Sequence, residues 1–269
     1  MRARDTSSAL SIVVVYPDLL GTYGDGGNGL VLSRRAAWRG IDVDLVQADS
    51  GKPLPTADIY CIGGGEDGPQ VRAATSLRRE GTVVRAVEHG SVVVGVCAGY
   101  QLLGRTFPDS ADRPHEGLGL LDLVTRKGTG TRAVGELVAT VTDDAPRQAT
   151  GAALPALTGF ENHGGVTVVG PGSKPVATVV SGVGNGAGDR TEGAWSDRVF
   201  GSYLHGPLLA RNTALADMLL VWAIAPLEGL APLDDGEELA LRSERLAAAG
   251  NSLGAGRIQR IRTRIRTRR

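Results

Sequence analysis

The densest chemical signal in the sequence is the run Val94-Gly95-Val96-Cys97-Ala98-Gly99-Tyr100-Gln101. A buried-type strand ends in Gly-x-Cys-x-Gly and a helix begins at once. Glycines on both sides of Cys97 permit a tight strand-to-helix turn, which lifts the side chain at its apex above the sheet. A cysteine in that place lies near a helix N-terminus, where the positive end of the dipole favours the thiolate. The Ala98 N–H then points to where an oxyanion forms on a carbonyl attacked by sulfur. The chemistry such an apex supports is nucleophilic acyl transfer. Cys61, the other cysteine, sits mid-strand with no turn behind it and reads as structural.

A thiolate needs a base. His89 lies at a helix end and His115 in a polar loop, and both read as surface residues. His163 lies in Phe160-Glu161-Asn162-His163-Gly164-Gly165, a strand-to-turn segment. His205 ends a strand in Gly201-Ser202-Tyr203-Leu204-His205-Gly206-Pro207, a placement like that of Cys97. It is the expected base, with His163 in reserve. Gly63-Gly64-Gly65 also follows a strand, and the bare N–H of Gly64 or Gly65 is the expected second oxyanion donor. No Gly-Lys-Ser/Thr follows these glycines, so a phosphate-binding loop is not indicated. Nor does the Gly-rich run Gly21 to Gly29 match a dinucleotide fingerprint. No Cys/His cluster has metal-ligand spacing. The expected chemistry requires neither a metal nor an organic cofactor.

The elements that must position these groups alternate along the first half of the chain. Leu10 to Tyr16 is a continuous β-branched run, suited to a strand buried on both faces of a parallel sheet. Asn28 is placed to cap a helix over Leu30 to Arg39. Further strands are expected at Ile41 to Val46, Ala57 to Ile62 and Ser91 to Val96. A helix over Pro69 to His89 is interrupted at Gly81, and a short one spans Tyr100 to Leu103. Strands alternating with helices argue for an α/β fold with a parallel sheet. The second half is richer in β-structure, with candidates at Gly135 to Thr142, Thr158 to Asn162, Val176 to Val180 and Val199 to Leu204. Leu208 to Ile224 reads as a helix, and Gly182 to Gly188 as a hairpin or loop. Pro226 to Asp235 is the nearest thing to a linker. The expected division is therefore 1–230 as the main domain and 231–269 as a helix, Gly236 to Ala249, with an Arg-rich tail.

The 269 residues suffice for one large domain with a real core. A formal net charge of zero gives no general electrostatic case for nucleic-acid or membrane binding. Two cysteines make no disulfide framework, no signal peptide is evident, and no apolar run has the length of a membrane helix. The expected location is the cytoplasm. The tail, Gly256 to Arg269, reads as a solvated basic segment. Its isoleucines 258, 261 and 265 at helical spacing also suit docking on an acidic or anionic surface.

Gly-x-Cys-x-Gly-x-Gln, here Gly95, Cys97, Gly99 and Gln101, resembles the nucleophile motif of class I glutamine amidotransferases. The upstream Gly-Gly-Gly and the downstream Tyr-Leu-His-Gly-Pro are similar to the cobyric-acid-synthase-like branch. Tyr23 to Asn28, Ile62 to Asp67, Gly117 to Asp122 and Phe160 to Gly165 add a narrower resemblance, to GatD-like glutaminase subunits of lipid II isoglutaminyl synthases. The matching segments spread over residues 10 to about 225.

The resemblance implies a three-layer, flavodoxin-like fold with a mostly parallel central sheet. It implies hydrolysis of L-glutamine by Cys97 and His205, with Gln101 orienting the substrate. Arg132, in Thr131-Arg132-Ala133-Val134-Gly135, reads from the residues alone as a surface loop arginine. The resemblance makes it the group that grips the glutamine carboxylate. The implied partner is a MurT-like Mur-ligase-family subunit that uses the ammonia to amidate the D-glutamate of lipid II, at the inner face of the membrane through the complex.

His-x-Glu, the usual continuation in class I enzymes, is absent, because Gly206 and Pro207 follow His205. The carboxylate that orients the imidazole is therefore expected from Glu161 or from the partner. A thiol peptidase, a scaffold that keeps the elbow without catalysis, and a cobyrinate-type amidase are the competing readings. The first usually lacks Gln101, the second loses Cys or His, and the third carries a fused ATP-binding domain.

Overall fold

The computed structural model describes residues 8–142, 146–147, 153–226 and 229–247. In chain order the strands are β1 (Leu10–Val15), β2 (Val43–Ala48), β3 (Ile59–Ile62), β4 (Val92–Val96), β5 (Thr106–Pro108), β6 (Pro114–Glu116), β7 (Leu123–Lys127), β8 (Ala133–Val141), β9 (Leu157–His163), β10 (Gly165–Val169), β11 (Ala177–Ser181), β12 (Thr191–Glu192), β13 (Ala194–Ser196) and β14 (Val199–Ser202). The helices are α1 (Pro17–Leu20), α2 (Gly27–Ala37), α3 (Asp67–Glu80), α4 (Thr82–Glu88), α5 (Ala98–Leu103), α6 (Leu208–Arg211) and α7 (Thr213–Ile224), and residues 236–247 are also helical.

The central sheet has the order β13-β14-β4-β3-β1-β2 and is parallel except for the edge strand β13. Its strands are apolar because both faces are covered. β3 and β4 are buried at every position, and Leu10, Ile12, Val92 and Val93 are fully enclosed. The unit β1-α2-β2 runs one way along the sheet and β3-α3-α4-β4 the other. Right-handed crossovers therefore put α2 on one face and α3 and α4 on the opposite face. α7 packs beside α2, while α1 and α5 pack on α3, completing three layers.

The direction of winding reverses between β1 and β3. In open α/β sheets a ligand site lies at such a reversal, outside the carboxyl ends of the strands. The loops after β1, β3, β4 and β14 all emerge at that edge.

Two four-stranded sheets, β10-β7-β5-β6 and β12-β11-β8-β9, are built from strands between Thr106 and Glu192. The second reaches the central sheet directly. Phe160 of β9 exchanges two backbone hydrogen bonds with His205, N–H to O distances being 3.1 and 2.8 Å.

Two expectations are corrected. Asn28 lies inside α2 rather than capping it. Its Oδ1 accepts the Leu209 N–H at 2.9 Å and its Nδ2 donates to the Asp25 carbonyl, so it ties α2 to α6. The expected helix over Leu208 to Ile224 is two helices broken at Asn212, whose side chain bonds Thr158 and Leu208. The long helix over Pro69 to His89 does break at Gly81, which takes a positive φ of 64° between α3 and α4. The segment after residue 230 is bound to the body: buried Arg35 bridges Asp217 of α7 and Asp235. The Arg-rich tail lies outside the described residues.

Candidate active site

Cys97 occupies the turn between β4 and α5 with φ 53° and ψ −107°, a conformation that costs a non-glycine residue about 1–3 kcal/mol. The neighbouring glycines make the turn possible by letting backbones touch. A Cβ on Gly99 would lie 2.2 Å from the Ile62 carbonyl oxygen, and one on Gly95 would lie 2.6 Å from Leu103 Cδ1. The Gly99 N–H donates to the Gly63 carbonyl at 3.0 Å and the Cys97 N–H to the Ser202 carbonyl at 2.9 Å. The elbow is thereby held by the loops after β3 and β14. Ala98 opens α5, so its N–H has no acceptor within the helix and is available to a ligand.

His205 is buried beside the thiol. Its Nδ1 donates to the Asp25 carboxylate, 2.9 Å from Oδ2 and 3.2 Å from Oδ1. Nε2 has no formed hydrogen bond among the described residues, and Cys97 is near enough to act on the imidazole. Burial alone would lower the pKa of this imidazole. The hydrogen bonds and charges of Asp25 and Cys97 outweigh it and raise the value to about 10. The ring is therefore an imidazolium at neutral pH, with Tyr23 packed on it at 4.8 Å.

Asp25 corrects the expectation that Glu161 or a partner carboxylate orients His205. It comes from the loop between α1 and α2 and is 1% exposed. Glu161 is occupied elsewhere: its two oxygens accept the N–H groups of Val183 and Gly184 at 2.8 and 2.9 Å, shaping the loop after β11. His163, the reserve base, is held by other contacts. It stacks on Tyr203 at 3.7 Å between ring centroids, and its Nδ1 donates to the Gly165 carbonyl at 3.0 Å.

The oxyanion expectation is corrected in part. The Gly64 N–H donates to Asp25 Oδ2 at 2.9 Å, so it serves the base. A Cβ on Gly64 would also meet His205 Cε1 at 2.9 Å. Ala98 and Gly65 remain as candidate donors, and both line a cleft of about 310 Å³ with Cys97, Gln101 and Arg132. That volume is ample for a molecule the size of an amino acid.

At this geometry the comparisons decide the family. The model of the CobB/CobQ-like glutamine amidotransferase domain matches residues 11–213. The chain belongs to the CobB/CobQ-like glutamine amidotransferase family. Among its relatives are the GatD subunits of lipid II isoglutaminyl synthase (glutamine-hydrolyzing) from Streptococcus pneumoniae and Staphylococcus aureus. The first is 34% identical over 80% of this chain and 80% of its own length. The second is 36% identical over 78% of this chain and 83% of its own. A crystal structure of a glutamine amidotransferase superposes over 78% of this chain and 98% of that one, with TM-score 0.54 and 21% identity; it supports the fold.

A family member must also hold its substrate. Arg132, just before β8, is exposed and lines the cleft. Its Nε donates to Asn162 Oδ1 at 2.6 Å and its Nη2 to the Asn162 carbonyl at 2.9 Å. Gln101 lines the cleft, but both ends of its amide are engaged. Nε2 donates to Tyr203 Oη at 3.1 Å, and Oε1 accepts from Gln70 at 2.9 Å. It shapes the wall rather than presenting a free amide. Cys61 is inert, burial pushing its thiol up to about 12. No cluster among the described residues is suited to a metal ion.

Sequence reading missed Asp25, Tyr23 and Asn162. The available signal for Asp25 was an acidic residue among glycines directly after the first strand, at the ligand-binding edge of the sheet.

Proposed function

We propose that this chain is the glutaminase subunit of a lipid II isoglutaminyl synthase. It hydrolyses L-glutamine to glutamate and ammonia, and a MurT-like ligase uses the ammonia to amidate the D-glutamate of lipid II in peptidoglycan synthesis. The observation that carries the hydrolysis is the Cys97–His205–Asp25 constellation at the end of an amino-acid-sized cleft. The GatD relatives, which align over four-fifths of this chain, support the choice of acceptor.

The Cys97 thiolate attacks the side-chain amide carbon of glutamine. The N–H groups of Ala98 and Gly65 receive the developing oxyanion, and the His205 imidazolium gives its proton to the departing nitrogen, which leaves as ammonia. The imidazole then takes a proton from water, whose oxygen attacks the thioester. Glutamate leaves and the thiolate–imidazolium pair is restored. Asp25 keeps Nδ1 protonated throughout, so that Nε2 faces sulfur. Arg132 grips the α-carboxylate of glutamine. No helix among the described residues is long and apolar enough to cross a membrane. Access to lipid II is assigned to the complex at the cytoplasmic face.

The test is glutamate release from glutamine, with and without the co-expressed ligase subunit, with Cys97→Ala as control. Release that disappears in the variant is expected, together with isoglutaminyl lipid II when ligase, ATP and lipid II are supplied. No release from a complex shown to be assembled would overturn the reading.

A further inference from the structure

Arg132 is exposed on the rim of the cleft, yet its guanidinium is fixed by one residue. Nε and one Nη2 hydrogen both end on Asn162, on its side-chain oxygen at 2.6 Å and its carbonyl at 2.9 Å. The edge used is the one that carries Nε. The opposite edge, Nη1 with the second Nη2 hydrogen, keeps the parallel pair of donors that matches a carboxylate.

Asn162 has two further contacts. Its carbonyl accepts from the Cys97 sulfur at 3.9 Å, and its Nδ2 reaches Tyr23 Oη at 3.4 Å. Tyr23 packs on His205. Asn162 itself is placed by register: it pairs with Val134 on β8, and two residues earlier Phe160 is bridged to His205. One residue near the end of β9 therefore spans the distance between the arginine and the reacting groups, its carbonyl meeting Arg132 and Cys97 and its side chain meeting Arg132 and Tyr23.

We propose that Asn162 is a positioning residue that holds Arg132 so that the α-carboxylate of glutamine is fixed relative to Cys97. This rests on the glutaminase reading. A free arginine on a rim would have to surrender its rotamer freedom on binding, whereas one already locked by two hydrogen bonds does not. The residue type matters as well as the shape. Aspartate would keep an oxygen for Nε, but its charge would cancel that of Arg132 and oppose a second carboxylate.

The experiment measures kcat and KM for glutamine in the assembled complex for wild type, Asn162→Ala, Arg132→Ala and the double variant. Alkylation of Cys97 by iodoacetamide, which has no α-carboxylate to be gripped, reports whether the elbow is intact. Asn162→Ala should raise KM by about tenfold or more, with kcat changed far less and alkylation near the wild-type rate. In the Arg132→Ala background the same substitution should change KM little, because its effect runs through the arginine. An unchanged KM, a fall in kcat at constant KM, or independent multiplying effects would each overturn the proposal.

Should Asn162→Ala lose Cys97 alkylation, the isosteric Asn162→Asp carries the test. A raised KM is expected from charge cancellation, and a wild-type KM would overturn the assignment. Wild-type complex that releases no glutamate would instead count against the glutaminase reading.

Discussion

Asp25 lies 180 residues before His205 in the chain, and the fold brings its carboxylate to 2.9 Å from the imidazole. Nothing in the local sequence of either residue announces the pair. The motif that usually reveals the orienting acid, a glutamate two residues after the histidine, is absent, so the sequence around His205 had no acid to offer and only the glycine setting of Asp25 hinted at one. Cys97 and His205 were legible because each needs a local device, a strand end and a turn, that leaves a glycine signature.

The carboxylate has a measurable consequence. His205 is protonated up to about pH 10 in the folded chain against 6.5 as its ordinary value. A raised folded pKa contributes stability that is complete below about 6.5 and is lost as pH rises through about 10. The urea midpoint of wild type should therefore decline over that window. Asp25→Asn keeps the shape but removes the charge that favours the imidazolium. Its His205 titration, followed by NMR, should move to lower pH and the urea decline should shrink. Glutamine turnover should fall by about 100-fold or more, as when a triad carboxylate becomes an amide. An unshifted titration would show that Asp25 does not set the protonation of this ring.

Among the elements, the parallel strands were the most legible. Three strongly apolar runs in the first half correspond to β1, β3 and β4 within a residue or two, because burial on both faces demands that composition, and the half-exposed edge strand β2 was read from alternating apolar and acidic residues. β5, β6, β7, β10, β12 and β13 were not read. They are two to five residues long, and strands such as Pro114–Glu116 and Leu123–Lys127 carry proline, charge or arginine on exposed faces. Their pairing is set by distant partners, which a local window does not contain.

The contact between α5 and the loop after β3 is where an element, rather than a side chain, sets the site. Gly99→Ala would drive a Cβ to within 2.2 Å of the Ile62 carbonyl. Backbone must then yield, and overpacking of this kind costs about 1–3 kcal/mol. The melting temperature should fall by about 2–4 °C for each kcal/mol. Turnover should fall too, since displacement of α5 moves Cys97 and the Ala98 N–H together. A variant with wild-type stability and activity would mean that α5 can shift without cost.

At the scale of the molecule, the division expected at residue 230 meets a chain whose later residues are tied back to the body. Arg35, with a side chain 2% exposed, is shared by Asp217 at 2.7 Å and Asp235 at 2.6 Å. Arg39 donates to the Ala231 carbonyl at 2.7 Å, and Arg242 reaches Asn212 Oδ1 and the Ala156 carbonyl from the final helical segment. A chain ended after Leu230 loses Asp235 and leaves Asp217 as the sole carboxylate on a buried guanidinium. Hydrogen bonds to charged groups are each worth about 1.5–3 kcal/mol, and an under-paired buried charge adds to the loss. The truncated chain should therefore unfold at a clearly lower temperature and lower urea concentration. None of the described residues after 230 lines the cleft that holds Cys97, so kcat and KM of the folded fraction should match the full chain. Differential scanning calorimetry beside a glutaminase assay separates the two effects. Lower turnover at unchanged stability would instead assign the final segment to the site. Loss of both in proportion would leave it as what the Arg35 bridge indicates, the last layer of a single packed body.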